Sequence, residues 1–281
     1  MSDIVKLLQK DFTRLSQFIH SEYGIKMPDV KKTLLESRLQ KRLKSLEIRS
    51  FKDYCDYLFS PEGMSEELPH FINKITTNKT DFFREKEHFE YLSNNVLPLL
   101  VNQDNTRKTI NIWSAGCSTG EEAYTIGMVV QDYLDRNRID RVDVSILATD
   151  ISCEVLSIAK RAVYHDIRSA PIPFPIKKKY LLKSKAKDRK LIKIAPEIRQ
   201  LVRFGRLNFM DTDYGLKQKM DIIFCRNVII YFDKPTQDQI LKNMLGYLKK
   251  GGYFFQGHSE TTQGVNLPIR QVYPTVYVKT I

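Results

Sequence analysis

Asn111-Ile112-Trp113-Ser114-Ala115-Gly116-Cys117-Ser118-Thr119-Gly120-Glu121-Glu122 runs from a β-prone apolar stretch, through a turn of small residues, into a helical pattern that begins near Ala123. Small residues between a strand and a helix let a ligand approach the backbone and the helix N-terminus. The turn is neither the G-x-G-x-x-G dinucleotide fingerprint nor a P-loop, because the P-loop lysine is missing. Working outward, INIWSA (110–115), VDVSILATD (142–150), MDIIFCRN (220–227) and GGYFFQG (251–257) are each about one strand long. Helical patterns separate most of them, which predicts βαβ units and a mostly parallel, doubly wound sheet. The C-terminal YVKTI follows Pro274 and another extended segment, so an antiparallel hairpin is expected to close the sheet.

Upstream the texture is helical. Apolar residues recur at helical spacing in 5–18, 31–46 and 51–59, separated by the turn signals Tyr23-Gly24, Met27-Pro28 and Ser60-Pro61. Ser50 is the expected N-cap of the helix near Phe51, with Asp53 at the third helical position. The chain of 281 residues accommodates two domains. We expect an all-helical domain over 1–75, an interdomain segment and linker helix over 76–108, and an α/β domain over 109–281. Pro98 and the polar run 102–108 mark the approach to the latter. Apolar residues at 42% and charged residues at 28% suit an ordinary globular core. No run of about 18 apolar residues exists to span a membrane, and the N-terminus lacks the apolar core of a signal peptide. Cys55, Cys117, Cys153 and Cys225 form no C-x-x-C pair, so neither zinc nor a disulfide framework is expected, and a reducing, cytoplasmic location fits.

The second strand ends in Ala148-Thr149-Asp150, and an acidic side chain at that point is where doubly wound sheets grip a ribose diol. Glu122, in the first turn of the following helix, is placed to receive a cationic amine. Two carboxylates around a glycine turn suit a ligand with a ribose and a positive charge and would repel a pyrophosphate. That favours S-adenosylmethionine over NAD or ATP.

Leu248-Lys249-Lys250-Gly251-Gly252-Tyr253-Phe254 resembles the entry to the fifth strand of class I methyltransferases. Four further motifs resemble the chemotaxis receptor methyltransferase (CheR) family: Thr76-Thr77-Asn78-Lys79-Thr80-Asp81-Phe82-Phe83-Arg84-Glu85, Ser118-Thr119-Gly120-Glu121-Glu122, Ile223-Phe224-Cys225-Arg226-Asn227-Val228-Ile229-Ile230-Tyr231-Phe232 and Gly257-His258-Ser259-Glu260. The resemblance implies a class I S-adenosylmethionine methyltransferase fold, preceded by a helical domain and carrying a small inserted β-subdomain at about 177–200. It implies that the enzyme forms glutamate methyl esters on chemoreceptors and releases S-adenosylhomocysteine. By the same resemblance Asn78, Thr80 and Arg84 close over the cofactor, Ala115 belongs to the glycine turn, Glu122 meets the methionine amine and Asp150 the ribose. Asn208 and Phe209 contact the adenine region, Arg226 and Asn227 end the fourth strand, and Tyr231 lies near the transferring methyl.

A glutamate side chain, with an unperturbed pKa of about 4.3, is already an anion at neutral pH. Methyl transfer to it needs in-line orientation rather than a general base, and orientation is worth roughly 7–11 kcal/mol at best. Arg84 would hold the attacking carboxylate by paired hydrogen bonds, and Tyr231 would orient it or the methyl. The basic balance also admits a nucleic-acid methyltransferase, but such amino-methylating enzymes would show Asn/Asp-Pro-Pro-Tyr/Phe where this chain reads Cys225-Arg226-Asn227-Val228. A non-enzymatic basic adaptor would not bind S-adenosylmethionine at all.

Net charge is +12, and residues 160–206, with 15 Lys/Arg against 3 Asp/Glu, equal that excess by themselves. An acidic partner is implied. On a helix from about Lys31 to Arg49, the side chains of Lys31, Arg38, Arg42 and Arg49 fall on one line beside an apolar face of Leu35, Leu39, Leu43 and Leu46. The resemblance makes this row a guide for the acidic methylation helices of a receptor. A second basic stretch, 177–193, lies in the inserted subdomain, with strands expected at Leu181-Leu182 and Leu191-Ile192-Lys193-Ile194. Some relatives dock there a peptide from the receptor C-terminus through a glycine-containing turn. The turn 183–190 here has no glycine, so that docking is not expected and the lysines would serve another acidic partner. Neither nucleic-acid binding nor membrane insertion is expected, and the chain is expected to be a monomer.

Overall fold

The computed structural model describes residues 4–102, 106–186, 190–260 and 266–281. The N-terminal helices are α1 (Gln9–Tyr23), α2 (Lys32–Ser45), α3 (Phe51–Leu58), α4 (Pro61–Glu66) and α5 (Leu68–Ile75). Phe12, Leu15, Ile19, Leu35, Leu39, Leu43, Tyr54, Leu58 and Phe71 meet in their shared core. Ser50 caps α3 as expected, accepting the Asp53 N–H at 3.1 Å and donating its hydroxyl to the Asp53 carboxylate at 2.6 Å. Helix α2 stops at Ser45, and Glu47 turns the chain at a φ of 56°. Arg49 is therefore outside the helix, and the four-residue basic row predicted from Lys31 to Arg49 does not form.

Helices α6 (Lys86–Tyr91) and α7 (Leu97–Asn102) are joined by a π-turn, Leu92–Val96, in which the Leu97 N–H reaches back to the Leu92 carbonyl. Pro98 follows at once. Its ring would crowd the carbonyl of Asn94 in a regular helix, and the wider turn relieves that contact. Phe89, Leu92, Val96, Leu97, Leu100 and Val101 pack into the C-terminal core, so this stretch belongs to the α/β domain and is not a free linker. Part of the polar run 102–108, residues 103–105, lies outside the described residues.

The α/β domain follows as β1 (Lys108–Ala115), α8 (Glu121–Arg136), β2 (Val142–Asp150), α9 (Cys153–Arg161), β3 (Val163–His165), α10 (Phe174–Tyr180), β4 (Leu181–Lys183), β5 (Leu191–Ile194), α11 (Pro196–Arg199), β6 (Val202–Arg206), β7 (Met220–Cys225), α12 (Lys234–Gly246), β8 (Leu248–Gln256), β9 (Ile269–Tyr273) and β10 (Val276–Lys279). Among the described residues the main sheet has seven strands in the order β6-β2-β1-β7-β8-β10-β9. The first five run parallel, whereas β10 is antiparallel to both β8 and β9, the expected closing hairpin. Chain order reverses between β1 and β7, and open sheets of this kind bind ligands beyond the carboxyl ends of the strands at such a point. The inserted β-subdomain is an antiparallel sheet in the order β3-β5-β4. It begins at Val163, earlier than the predicted 177, because β3 pairs Tyr164 with Ile192. Its turn lacks glycine yet holds Lys190 at a φ of 39°, while residues 187–189 lie outside the described residues. Among the described residues no helix is long and apolar enough to cross a membrane.

Candidate active site

The turn after β1 is built on two glycines in the left-handed region, Gly116 at φ 80° and Gly120 at φ 95°. A Cβ on Gly116 would come within 2.5 Å of a Val228 methyl, and one on Gly120 within 2.8 Å of the Ala159 methyl. Gly116 N–H and Cys117 N–H both donate to the Thr149 carbonyl, which ties the turn to the end of β2. Asp150, 8% exposed, accepts the Ser118 N–H on one oxygen at 2.8 Å and the Ser152 N–H on the other at 3.0 Å. Burial raises its pKa, and those amides oppose the rise. The carboxylate is thus held by backbone amides in the wall of a cavity.

That cavity lies between the domains. Asn78, Thr80, Arg84, Gly116, Ser118, Glu122, Asp150, Asn208, Phe209, Arg226, Asn227 and Tyr231 all line it. Every predicted cofactor or catalytic residue reaches it except Ala115. The last residue of β1, Ala115 is 1% exposed beneath the turn, and its place in the wall is taken by Gly116 and Ser118. Asn78 is anchored by its carbonyl, which accepts the Ser118 hydroxyl at 2.9 Å. Arg84 donates to the Lys79 carbonyl at 3.1 Å. Asn208 donates to the Glu22 carbonyl at 2.8 Å, tying the loop after β6 to α1.

Glu122 is not the isolated carboxylate that the sequence suggests. The Ser114 hydroxyl donates to Oε1 at 2.7 Å, and Nε of Arg226 stands 3.1 Å from Oε2. Burial raises the Glu122 pKa and Arg226 opposes it. Arg226 also contacts Nδ1 of His88 at 3.0 Å, donates to the Arg84 carbonyl, and lies 5.2 Å from the centre of the Phe89 ring. Asn227, at φ 58°, donates to Glu85 at 3.2 Å. Glu260 fastens the loops after β7 and β8 by accepting from the N–H groups of Val228, Ile229 and Gly257 at 2.7–2.8 Å. Glu85, His88 and His258 bring ligand-type atoms within 4.8 Å of one another. The cation at that point is the guanidinium of Arg226, 3.0 Å from His88, and a metal ion would have to displace it.

The helical domain supplies a wall that sequence reasoning missed. Tyr23, Ile25, Met27, Lys31, Leu34 and Arg38 line the cavity. Gly24, at φ 67°, ends α1, after which the Lys26 N–H donates to the Tyr231 carbonyl at 2.8 Å and Ile25 bridges Phe232. Lys31 Nζ stands 5.9 Å from the centre of the Tyr231 ring. Two members of the predicted receptor-guiding row are engaged internally. Arg38 donates to the carbonyls of Lys74, Ile75 and Thr76, capping α5. Arg42 pairs with Glu67, which is 1% exposed and also accepts from the Tyr54 hydroxyl at 2.9 Å.

Two family models divide the chain between them: the CheR methyltransferase all-alpha domain over 10–76 and the CheR methyltransferase SAM binding domain over 78–278. The chain belongs to the CheR family. It is 39% identical to the chemotaxis protein methyltransferase of Borreliella burgdorferi over 98% of this chain and 96% of that one. It is 37% identical to chemotaxis protein methyltransferase 2 of Pseudomonas aeruginosa over 96% and 92%, and 36% identical to the Escherichia coli chemotaxis protein methyltransferase over 92% and 87%. The CheR chain is an S-adenosylmethionine-dependent methyltransferase of class I fold. The residues fit that cofactor: the buried carboxylate of Asp150 and the half-buried one of Glu122 flank the glycine turn, and Ile151, Leu207 and Phe209 give the same cavity an apolar side.

Proposed function

We propose that this CheR chain methylates glutamate side chains on the cytoplasmic helices of chemotaxis receptors, acting as a cytoplasmic monomer. The observation that carries the reading is the convergence of Glu122, Asp150, Arg84 and Tyr231 on one interdomain cavity. S-adenosylmethionine supplies an electrophilic methyl on a sulfonium. Asp150 would grip the ribose diol, the Glu122–Arg226 pair would receive the amino-acid end, and Phe209 with Asn208 would meet the adenine. Arg84 would orient the attacking carboxylate, and Tyr231 would fix its approach. No proton has to move, because the acceptor is already ionised. Catalysis then rests on position. Of the basic row, Lys31 supports acceptor guidance best, since it lines the cavity beside Tyr231.

Calorimetric titration with S-adenosylmethionine, on wild type and Asp150→Ala, tests the cofactor assignment. Labelled-methyl transfer to receptor membranes, followed by base release of methanol, tests the ester. We expect wild type to bind and to form a base-labile product, and Asp150→Ala to lose at least tenfold in affinity, about 1.4 kcal/mol or more. Undiminished binding by that variant would remove Asp150 from the site. A base-stable product would exclude the ester.

A further inference from the structure

We propose that His88, far in sequence from the fourth strand and absent from every motif match above, is a positioning residue for methyl transfer: as a neutral acceptor it fixes the guanidinium of Arg226 against Glu122. The inference rests on the reading that Glu122 and Arg226 receive the amino-acid end of the cofactor.

The chemistry of the two side chains dictates the arrangement. An arginine has only donors, so the 3.0 Å contact between its terminal nitrogen and His88 Nδ1 requires a lone pair on Nδ1. The ring proton must then sit on Nε2, where it points at the Thr275 hydroxyl oxygen, 2.8 Å away. That hydroxyl donates onward to the Pro274 carbonyl at 2.8 Å. A directed chain therefore runs from the turn between β9 and β10, through a fully buried imidazole, to the cavity. Protonation of Nδ1 would set a second cation against Arg226. Glu85, 3.5 Å from Nδ1, and His258, whose ring centre is 5.0 Å away, complete the titratable neighbours. Burial and the Arg226 charge both favour the neutral imidazole.

The guanidinium is thereby held on three sides. One terminal nitrogen faces His88, the other donates to the Arg84 carbonyl, and Nε faces Glu122. Removing the His88 acceptor leaves a buried charged donor unpaired and lets the plane rotate, which would displace Glu122 and the backbone of Arg84 together.

The test uses the full chain with S-adenosylmethionine and receptor membranes. In His88→Leu the Kd for the cofactor should rise about tenfold or more, with a parallel fall in kcat/KM. His88→Asn returns an acceptor at the Nδ1 position and should recover affinity to within about threefold of wild type, whereas His88→Gln places its polar group near Nε2 and should not. If His88→Leu does not fold, the Asn and Gln pair, compared at equal melting temperature, carries the comparison. Wild-type affinity in His88→Leu, or equal loss in the Asn and Gln variants, would overturn the proposal. Failure of the wild type to bind the cofactor would instead overturn the underlying functional reading.

Discussion

Arg42 lies in a helical row whose spacing suggests an outward-facing guide, yet its guanidinium is spent on Glu67 inside the helical domain. Breaking such a pair leaves a buried carboxylate without its counter-charge, which costs about 3–5 kcal/mol, whereas replacing both partners with apolar groups is often neutral. Urea denaturation should therefore show Arg42→Ala strongly destabilised and Arg42→Met with Glu67→Leu close to wild type. KM for receptor, measured on folded protein, should be unchanged in Arg42→Ala. A selective rise in that KM without destabilisation would restore the guiding role. His88 carries the pH dependence at the same scale. Burial first, and Arg226 second, depress its pKa to about 4, against 6.5 in the unfolded chain. Between those values the unfolded state binds more protons, so stability is complete above about pH 6.5 and declines as pH falls toward 4, by about 3 kcal/mol in all. Subtracting the His88→Asn stability profile from that of wild type should isolate this slope. A flat difference would mean that His88 titrates normally.

At the scale of elements, the connector from α1 to α2 seats the helical domain on the cavity. A side chain at Gly24 would meet Met210 Sδ at 2.5 Å and the Thr236 methyl at 2.9 Å, in a backbone conformation at φ 67° that a β-branched residue resists. Gly24→Val should raise the Kd for S-adenosylmethionine several-fold, about 1 kcal/mol, and increase protease cleavage near 23–31. Unchanged affinity would mean that the connector merely covers the site. Sequence shows Tyr23-Gly24 only as a place where the chain turns, because a turn signal records local φ preference and not the surface it docks on. The same limit explains the other misses. Strands β1, β2, β7 and β8 are legible from their β-rich apolar runs. Strand β6, Val-Arg-Phe-Gly-Arg at the sheet edge, and the three-residue β3 have no such run. Glu122 and Asp150 are legible from their offsets to a glycine turn. The His88–Arg226 contact joins residues 138 apart, and no local pattern encodes it.

For the whole molecule the question is which part of the +12 charge a receptor would feel. Part of the basic 160–206 region is answered internally: Lys179 pairs with Asp135 at 2.5 Å, Arg168 with Glu121 at 2.5 Å, and Lys183 with Asp166 at 3.7 Å. Lys178, Lys185, Lys190 and Lys193 are exposed on the inserted subdomain, and Lys31 stands at the cavity. Exposed charges are screened over about 10 Å at 0.1 M salt, whereas the buried Glu122–Arg226 pair is screened far less. Raising ionic strength from about 0.05 to 0.5 M should therefore raise KM for receptor by about fivefold while leaving the Kd for S-adenosylmethionine nearly constant. Equal shifts in both constants would mean that salt acts on the cavity itself, against the separation drawn between a buried cofactor site and an exposed guiding surface. Repeating the series with Lys178→Glu, Lys185→Glu, Lys190→Glu and Lys193→Glu combined divides the exposed charge further. A flattened salt slope in that variant assigns receptor guidance to the inserted subdomain, and an unchanged slope leaves it with Lys31 and the face of the helical domain beside Tyr231.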